Sequence, residues 1–142
     1  MSVRNLFKRY IEKSKYKKNV VIYRAYVCTP RKEIQDIVSK ENQKMVFIST
    51  KSLKHIYDRH VYEKKKPKDF YFLIKNIEKI IGRPDRIYKN KPNKRGDFIF
   101  VKEMANQTYM CTLEIVNKTE LDIVSAYITG EKYLSKFTLL WS

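Results

Sequence analysis

DFYFLIKNIEKIIGRPDRIY, residues 69–88, contains the clearest change of hydrophobic pattern in this sequence. Up to Ile81 the apolar residues recur at the three- and four-residue spacing of an amphipathic helix. Gly82 and Pro84 then end the helix, because glycine favours a helix C-terminus and proline cannot continue one. Beyond the proline, apolar and polar residues alternate, as they do in a β-strand. The stretch therefore predicts a helix that is capped by Asp69 and followed directly by a strand.

Four strands are predicted downstream of this helix. Their approximate limits are residues 86–88, 98–102, 109–116 and 121–129. Strands that follow one another with short connections usually pair as an antiparallel meander. The tail, residues 132–142, ends in apolar residues, and we expect it to dock on the body of the protein.

Upstream, the pattern predicts helices that alternate with short strands. A basic amphipathic helix is predicted over residues 3–17, a strand over 20–28 and a helix from there to about 42. A second strand at 45–48 leads into a helix over 51–63, which Ser49 or Thr50 caps.

Together these elements predict a single α+β domain of 142 residues. N-terminal helices pack on one face of a four-stranded antiparallel β-meander, and the other face is free for a ligand. Residues 1–44 form an accessory segment of basic helix, strand and helix, and residues 45–142 form the core.

The charge of the chain points to a polyanionic partner. It has 31 Lys and Arg against 15 Asp and Glu, a formal net charge of +16. The cationic residues are dispersed among aromatics rather than aligned on one amphipathic helix, which favours nucleic acid over a membrane surface. The alternative is a lysine-rich surface with no specific partner.

Several function classes are disfavoured by what the sequence lacks. It has no glycine-rich phosphate loop, no paired-cysteine zinc site and no cluster of carboxylates suited to Mg²⁺, so we expect no cofactor and no metal. Cys28 and Cys111 lie in apolar runs, as buried thiols do. No run is long enough to span a membrane and no signal peptide is evident, so we expect a cytoplasmic protein.

Both histidines, His55 and His60, lie on the helix predicted over residues 51–63. Imidazole titrates near neutral pH, so two histidines could take a proton from an RNA 2′-hydroxyl and give one to the departing 5′-oxygen. Positions five apart on a straight helix diverge by about 140°, so both cannot point squarely into one pocket. His60 lies beside the apolar stripe, whereas His55 and Arg59 share the polar face. The alternative is a half-buried structural His60 and a solvated His55.

The last strand has a second group of candidates. Alternation places Val124, Ala126 and Ile128 on one face and Ser125 and Tyr127 on the other. A Ser and a Tyr two residues apart can hydrogen-bond a phosphate and stack on a base of single-stranded RNA. The alternative is an ordinary half-exposed strand face.

Cationic side chains supply the remaining candidates. Lys102, which closes the second strand of the meander, could neutralise the charge that grows on the phosphate in the transition state. The candidates for binding nucleic-acid phosphates are Arg59, Arg86 and, in the basic loop of residues 89–97, Lys89, Lys91, Lys94 and Arg95.

The order of these motifs resembles the phage-associated barnase/EndoU/colicin/RelE-like nuclease domains. VFIS at residues 46–49 leads into the histidine-containing helix, IIGRPDRIY at 80–88 joins the next helix to a strand, and IVSAY at 123–127 lies on the late strand. The similarity covers about residues 45–142. Ser125 stands where threonine is commoner, and the change preserves the hydroxyl.

This resemblance implies metal-independent cleavage of RNA to a cyclic phosphate. His55 or His60 would act as acid and base, Lys102 would stabilise charge, and Ser125 with Tyr127 would position the phosphate. Because an uncontrolled cytosolic ribonuclease would harm its host, we also expect a toxin that is silenced by an antitoxin or immunity protein. Two other functions fit the sequence: a nucleic-acid-binding protein without catalysis, and a structural component whose charge neutralises an anionic surface.

Overall fold

The computed structural model describes residues 1–12, 23–38 and 44–142. The predicted end of the first helix, the start of the first strand and the end of the second helix lie outside these ranges. The elements are α1 (Val3–Phe7), β1 (Arg24–Cys28), α2 (Lys32–Val38), β2 (Met45–Ser49), α3 (Thr50–Tyr57), α4 (Pro67–Gly82), β3 (Arg86–Lys89), β4 (Phe98–Met104), β5 (Gln107–Ile115), β6 (Glu120–Thr129), α5 (Glu131–Leu134) and β7 (Thr138–Trp141). Two π-helical turns, Lys8–Glu12 and Asp58–Glu63, continue α1 and α3.

The strands form one mixed sheet in the order β1-β2-β6-β5-β4-β3-β7. All neighbouring strands pair antiparallel except β2 and β6, which are parallel. The α+β class is confirmed, but the predicted four-stranded sheet is too small. β2 and β1 extend it beyond β6, and β7 extends it beyond β3. Strand pairings between distant parts of the chain leave no local pattern, and for this reason the sequence did not reveal them.

The main core lies between the helices and one face of the sheet. Phe70 of α4 is fully buried, and its ring centroid lies 5.0 Å from that of Phe7 in α1 and 5.1 Å from that of Tyr57 in α3. The first residues of the segment 1–44 therefore share one core with α3 and α4. The prediction that Asp69 caps α4 is wrong, because Pro67, which needs no N–H partner, occupies the first turn.

The opposite face of the sheet is partly covered. Leu134 of α5 and Phe137 after it pack on a smaller cluster that includes Tyr88 and Met110. This covering corrects the expectation of a free face, and it agrees with the expectation that the tail docks on the body. The part of this face beside α3 stays open and forms the cleft described below.

A β-bulge interrupts β6. Thr112 of β5 pairs with Ser125 and Leu113 pairs with Ile123, so Val124 has no partner in the ladder. Val124 lines the open cleft beside Ser125 instead of joining Ala126 in the main core. The extra residue breaks the two-residue alternation, so the predicted face of Val124 is wrong.

Candidate active site

The cleft forms where β2 ends beside β6. The parallel pairing runs as far as Ile48 and Ile123, and the chain then turns into α3. Ser49 caps the helix, because its side chain accepts a hydrogen bond of 3.1 Å from the backbone N–H of Ser52. The second half of β6 therefore has a helix beside it instead of a strand, and α3 side chains stand next to those of β6.

His55 is exposed and lines a cleft of about 280 Å³ together with Ser125. The other walls of the cleft are Lys51, Ser52, Arg95 and Val124. The cleft thus brings an imidazole, a strand hydroxyl and two cationic side chains to one place.

Arg59 lies one helical turn beyond His55 and contacts Tyr127. The guanidinium carbon is 4.5 Å from the centroid of the Tyr127 ring, a cation–π contact. Burial, and then a hydrogen bond with Tyr133, raise the pKa of Tyr127 to about 12. Tyr127 therefore stays protonated near neutral pH.

Tyr133 of α5 continues this row of side chains. Burial raises the pKa of Tyr133, but hydrogen bonds with Tyr127 and Lys94 outweigh the burial, so the pKa is lowered overall. The Nζ of Lys94 lies 3.5 Å from the Tyr133 hydroxyl. A row of contacting side chains thus runs from Arg59 of α3 through Tyr127 of β6 and Tyr133 of α5 to Lys94 of the basic loop.

Asn90 gives the basic loop a defined shape. Its Nδ2 donates to the carbonyl oxygens of Arg95 (2.9 Å) and Gly96 (3.1 Å), and its Oδ1 accepts from the N–H of Lys91 (2.9 Å). Gly96 has a φ of 100°, and a Cβ there would lie 2.4 Å from Cγ2 of Thr112. Only glycine fits this approach of the loop to β5, which sets the position of Arg95 at the cleft.

His60 lies in a different environment from His55. It is only 2% exposed, and its Nδ1 lies 2.9 Å from the carbonyl oxygen of Ile56. A carbonyl can only accept, so Nδ1 carries the proton. Burial is the main cause that lowers the pKa of His60, opposed by that backbone hydrogen bond. His60 lines a separate cavity, so the structure does not bring the two histidines together.

Two cationic candidates are engaged elsewhere. Lys102 donates a 2.7 Å hydrogen bond to the carbonyl oxygen of Arg83, and its Nζ lies 3.6 Å from Asp85. Arg86 donates hydrogen bonds of 2.6 and 2.8 Å to Glu131. The bond to Glu131 is the main cause that raises the pKa of Arg86. Neither residue lines the His55 cleft.

The remaining loop candidates lie around the smaller cluster. Lys89 is exposed on β3. The Nζ atoms of Lys91 and Lys94 lie 5.7 and 5.8 Å from the centroid of the Phe137 ring.

Two residues of the site, Lys51 and Tyr133, were not predicted from the sequence. Lys51 has a sequence signal, because it precedes His55 by four residues and so shares a helix face with it. Tyr133 has none, since only the fold brings α5 to β6.

Comparison with known protein families assigns the chain to a class of nuclease domains. A family model described as "phage-Barnase-EndoU-ColicinE5/D-RelE like nuclease3" matches residues 24–136, and the chain belongs to this family. The resemblance drawn from the sequence is thereby confirmed, and the match runs from β1 through α5, which adds β1 and α2 to the expected region and leaves out β7. No curated protein and no solved structure matches the chain significantly.

Membrane-spanning helices and metal-holding clusters are both absent from the described residues. In those three ranges, no helix has both the length and the apolar character needed to cross a membrane. Within the same ranges, no three His, Cys, Asp or Glu side chains lie together in a way that could hold a metal ion.

Proposed function

We propose that this nuclease is a metal-independent endoribonuclease that uses the ribose 2′-hydroxyl as its nucleophile. The observation that carries the proposal is the presence of His55 and Ser125 in one cleft whose walls include Lys51 and Arg95. Transesterification without a metal needs a group that transfers protons and cations that stabilise charge on the phosphate. The cleft has both.

His55 takes the proton from the 2′-hydroxyl while the 2′-oxygen forms a bond to phosphorus. The bond between phosphorus and the 5′-oxygen breaks, and the imidazolium returns the proton to that oxygen. The products are a 2′,3′-cyclic phosphate and a 5′-hydroxyl. Lys51 and Arg95 neutralise the charge of the five-coordinate phosphate, and Ser125 donates a hydrogen bond to it.

Arg59 and Tyr127 hold the nucleotide next to the reacting phosphate in this proposal. A guanidinium stacked on an aromatic ring presents a flat cationic surface, on which an unpaired base can stack. Lys102 is bonded to Arg83 and Asp85 and does not line the cleft, so Lys51 and Arg95, which do, replace it as the charge-stabilising residues. Arg95 also forms an exposed ion pair through Nε with Glu114, at 3.2 Å.

The first experiment compares wild type with His55→Gln on RNA in the presence of EDTA. We expect the variant to keep its fold by circular dichroism and to lose about 10²- to 10⁴-fold in cleavage rate, the usual contribution of a proton-transfer group. Glu63→Gln, an exposed change on the same helical segment, serves as the matched control and should cleave like wild type.

The chemistry is tested on a synthetic RNA with one mapped cleavage site. The upstream product should end in a cyclic phosphate, and a single 2′-deoxy substitution at that site should abolish cleavage there. Cleavage that persists at the deoxy position, or in His55→Gln, would show that this mechanism is wrong.

A nucleic-acid-binding protein without catalysis is the second candidate, and the contacts between lysines and aromatic rings favour it. Lys91 and Lys94 flank Phe137, and Lys94 also lies over Tyr133. Such surfaces bind single strands by stacking and charge. In that case wild type would cut no RNA in any buffer, and His55→Gln would bind RNA as tightly as wild type.

An uncontrolled ribonuclease degrades the RNA of the cell that makes it. We therefore also propose an antitoxin or immunity protein that covers the cleft with acidic side chains opposite Lys51, Arg59 and Arg95. Binding driven by such charge complementarity weakens as salt is added. When this partner is added to the cleavage assay, it should inhibit cleavage more strongly at low salt than at high salt.

A further inference from the structure

Arg95 at the cleft is paired with Glu114 of β5 through its Nε atom. The distance from Nε to Oε2 of Glu114 is 3.2 Å. Within the described ranges, the two Nη groups of Arg95 make no hydrogen bond. Together these two groups can bind two oxygens of one phosphate. The pair with Glu114 therefore leaves them available at the cleft.

Two other arginines are bonded in the opposite way. Arg24 donates through its two Nη atoms to Glu120 and Asp122. Arg86 donates through both Nη atoms to Glu131. In each case carboxylates of the protein occupy the positions that a phosphate would need. A contact through Nε, by contrast, orients a guanidinium and leaves both Nη groups unoccupied.

The basic loop is also fastened to β5 beside this ion pair. Asp97, two residues after Arg95, donates its N–H to the carbonyl oxygen of Leu113 at 2.8 Å. Its Oδ2 accepts a hydrogen bond of 2.7 Å from the N–H of Ile115. These two strand residues are the neighbours of Glu114 in sequence. Backbone and side-chain contacts thus place the two charged residues next to each other.

Stability alone gives Glu114 little to do. The side chains of Arg95 and Glu114 are 64% and 36% exposed, and ion pairs at such positions contribute little to the free energy of unfolding. A carboxylate near a phosphate also repels it. The effect of Glu114 on the direction of the Arg95 side chain is therefore the effect that matters at the cleft.

We propose that Glu114 is a positioning residue for the cleavage of RNA. It holds Nε of Arg95, so the two Nη groups meet the oxygens of the reacting phosphate without first losing a protein partner. A cationic group that is already oriented stabilises the transition state with less loss of entropy. The inference rests on the proposed function, because Glu114 acts through a residue of the same cleft.

The first test measures kcat and KM of Glu114→Ala and Glu114→Gln on RNA in EDTA. An ordinary surface carboxylate repels RNA, so its removal would leave kcat unchanged and kcat/KM equal or higher. Positioning predicts the opposite, a kcat of Glu114→Ala that falls by up to about 5-fold, the rate equivalent of an exposed ion pair. Glu114→Gln, whose amide oxygen can still accept from Nε, should keep more of the rate. A kcat of Glu114→Ala at or above the wild-type value would overturn the proposal.

Asp122→Ala is the matched control. Asp122 pairs with Glu114 across β5 and β6, and its carboxylate bonds Arg24. This variant removes the same charge from the neighbouring position, and its kcat should not fall. In an Arg95→Ala background, Glu114→Ala should lower kcat no further, because a positioning residue acts only through the residue that it holds. Equal losses of kcat in the wild-type and Arg95→Ala backgrounds would contradict the proposal.

A third measurement does not depend on cleavage. NMR of the Arg95 side-chain nitrogens, assigned by their loss in Arg95→Lys, is followed as a short single-stranded DNA is added to the full chain. We expect an ordered Nε–H in wild type and in Asp122→Ala, a more mobile one in Glu114→Ala, and Nη signals that shift with DNA. DNA lacks the 2′-hydroxyl, so the proposed reaction does not consume it.

The outcomes separate this inference from the proposed function. A wild type that cuts no RNA, while Glu114 orders Nε–H and DNA shifts the Nη signals, would contradict the proposed function and support the positioning of Arg95 toward phosphate. Active cleavage with an Nε–H that is equally mobile in wild type and Glu114→Ala would do the reverse.

Discussion

His55 and His60 are five residues apart, and the fold gives them opposite surroundings. One imidazole is exposed at a cationic cleft, and the other is buried with its Nδ1 held by a backbone carbonyl. Between them α3 continues as a π-helical turn, and His60 is its buried residue. The surroundings of each ring, rather than the residue type, therefore distinguish the two histidines.

Burial of His60 predicts that stability depends on pH. Because its folded pKa is lowered, the unfolded state binds more protons below its ordinary pKa of 6.5. The contribution of His60 to the free energy of unfolding is therefore complete above pH 6.5. It is lost as the pH falls from 6.5 through the lowered pKa of the folded state. His60→Gln removes this titration, so its free energy of unfolding should fall less between pH 7.5 and 5.5 than that of wild type. Urea denaturation at the two pH values measures the difference, and equal losses would count against it.

Gly96 predicts a local effect of a single methyl group. Gly96→Ala combines a positive φ with a Cβ placed 2.4 Å from Thr112 Cγ2. We expect it to cost more than about 1 kcal/mol in urea denaturation and to reduce RNA cleavage, since the loop carries Arg95. Gly130→Ala is the control, because a Cβ there meets nothing within 4 Å. A stable and fully active Gly96→Ala would show that the loop is not held as described.

At the scale of elements, α5 is held to β3 by one ion pair between Glu131 and Arg86, with side chains 64% and 19% exposed. The hydrogen bond from Arg86 is the main cause that lowers the pKa of Glu131 below its ordinary value of 4.5. The contribution of Glu131 to stability is thus present above that pH and is lost as the pH falls through the lowered folded pKa.

Glu131→Gln should therefore destabilise the protein by about 0.2 to 1 kcal/mol at pH 7, the range for an exposed pair. Below pH 4 the difference from wild type should shrink. Urea denaturation followed by the fluorescence of Trp141, which lies in β7 just after α5, reports the change. Glu33→Gln, which removes an exposed ion pair with Arg31, is the control and should have little effect.

Single elements were predictable where the local pattern is strong. The central helix was expected over residues 69–81 and spans Pro67–Gly82, because its apolar residues recur with a regular helical period. The hydroxyl face of β6 was also recognisable from alternation at Ser125 and Tyr127. The bulge at Val124 was not, since an extra residue in a strand has no separate sequence signature.

The full set of residues at the site was harder to predict from the sequence than the histidine at its centre. His55, Ser125 and Arg95 were candidates for separate reasons, but their meeting depends on the parallel pairing of β2 with β6. Lys102 was chosen from its place on a strand, and the structure engages it with Asp85 instead. With 31 cationic residues in the chain, the position in the fold must decide which of them face the cleft.

At the scale of the whole molecule, Phe70 joins α1, α3 and α4 in one core. Phe70→Ala should cost about 3 to 5 kcal/mol, because it leaves a cavity among three helices. When unfolding of wild type is monitored by circular dichroism and by Trp141 fluorescence, both signals should show the same single transition. Tyr71→Ala, at an exposed neighbour, should cost less. A small effect of Phe70→Ala would mean that α1 does not depend on this core.

The parallel pairing of β2 with β6 also bears on how the enzyme is made. The ribosome completes β2 and α3 before their partner β6, which follows only after α4 and three further strands. At about 5 to 20 residues per second, that interval is on the order of seconds. Throughout this time His55 has no strand hydroxyl beside it. A nascent or prematurely released chain that stops before β6 therefore has no assembled cleft, and the order of the elements alone delays assembly of the cleft until β6 has been synthesised.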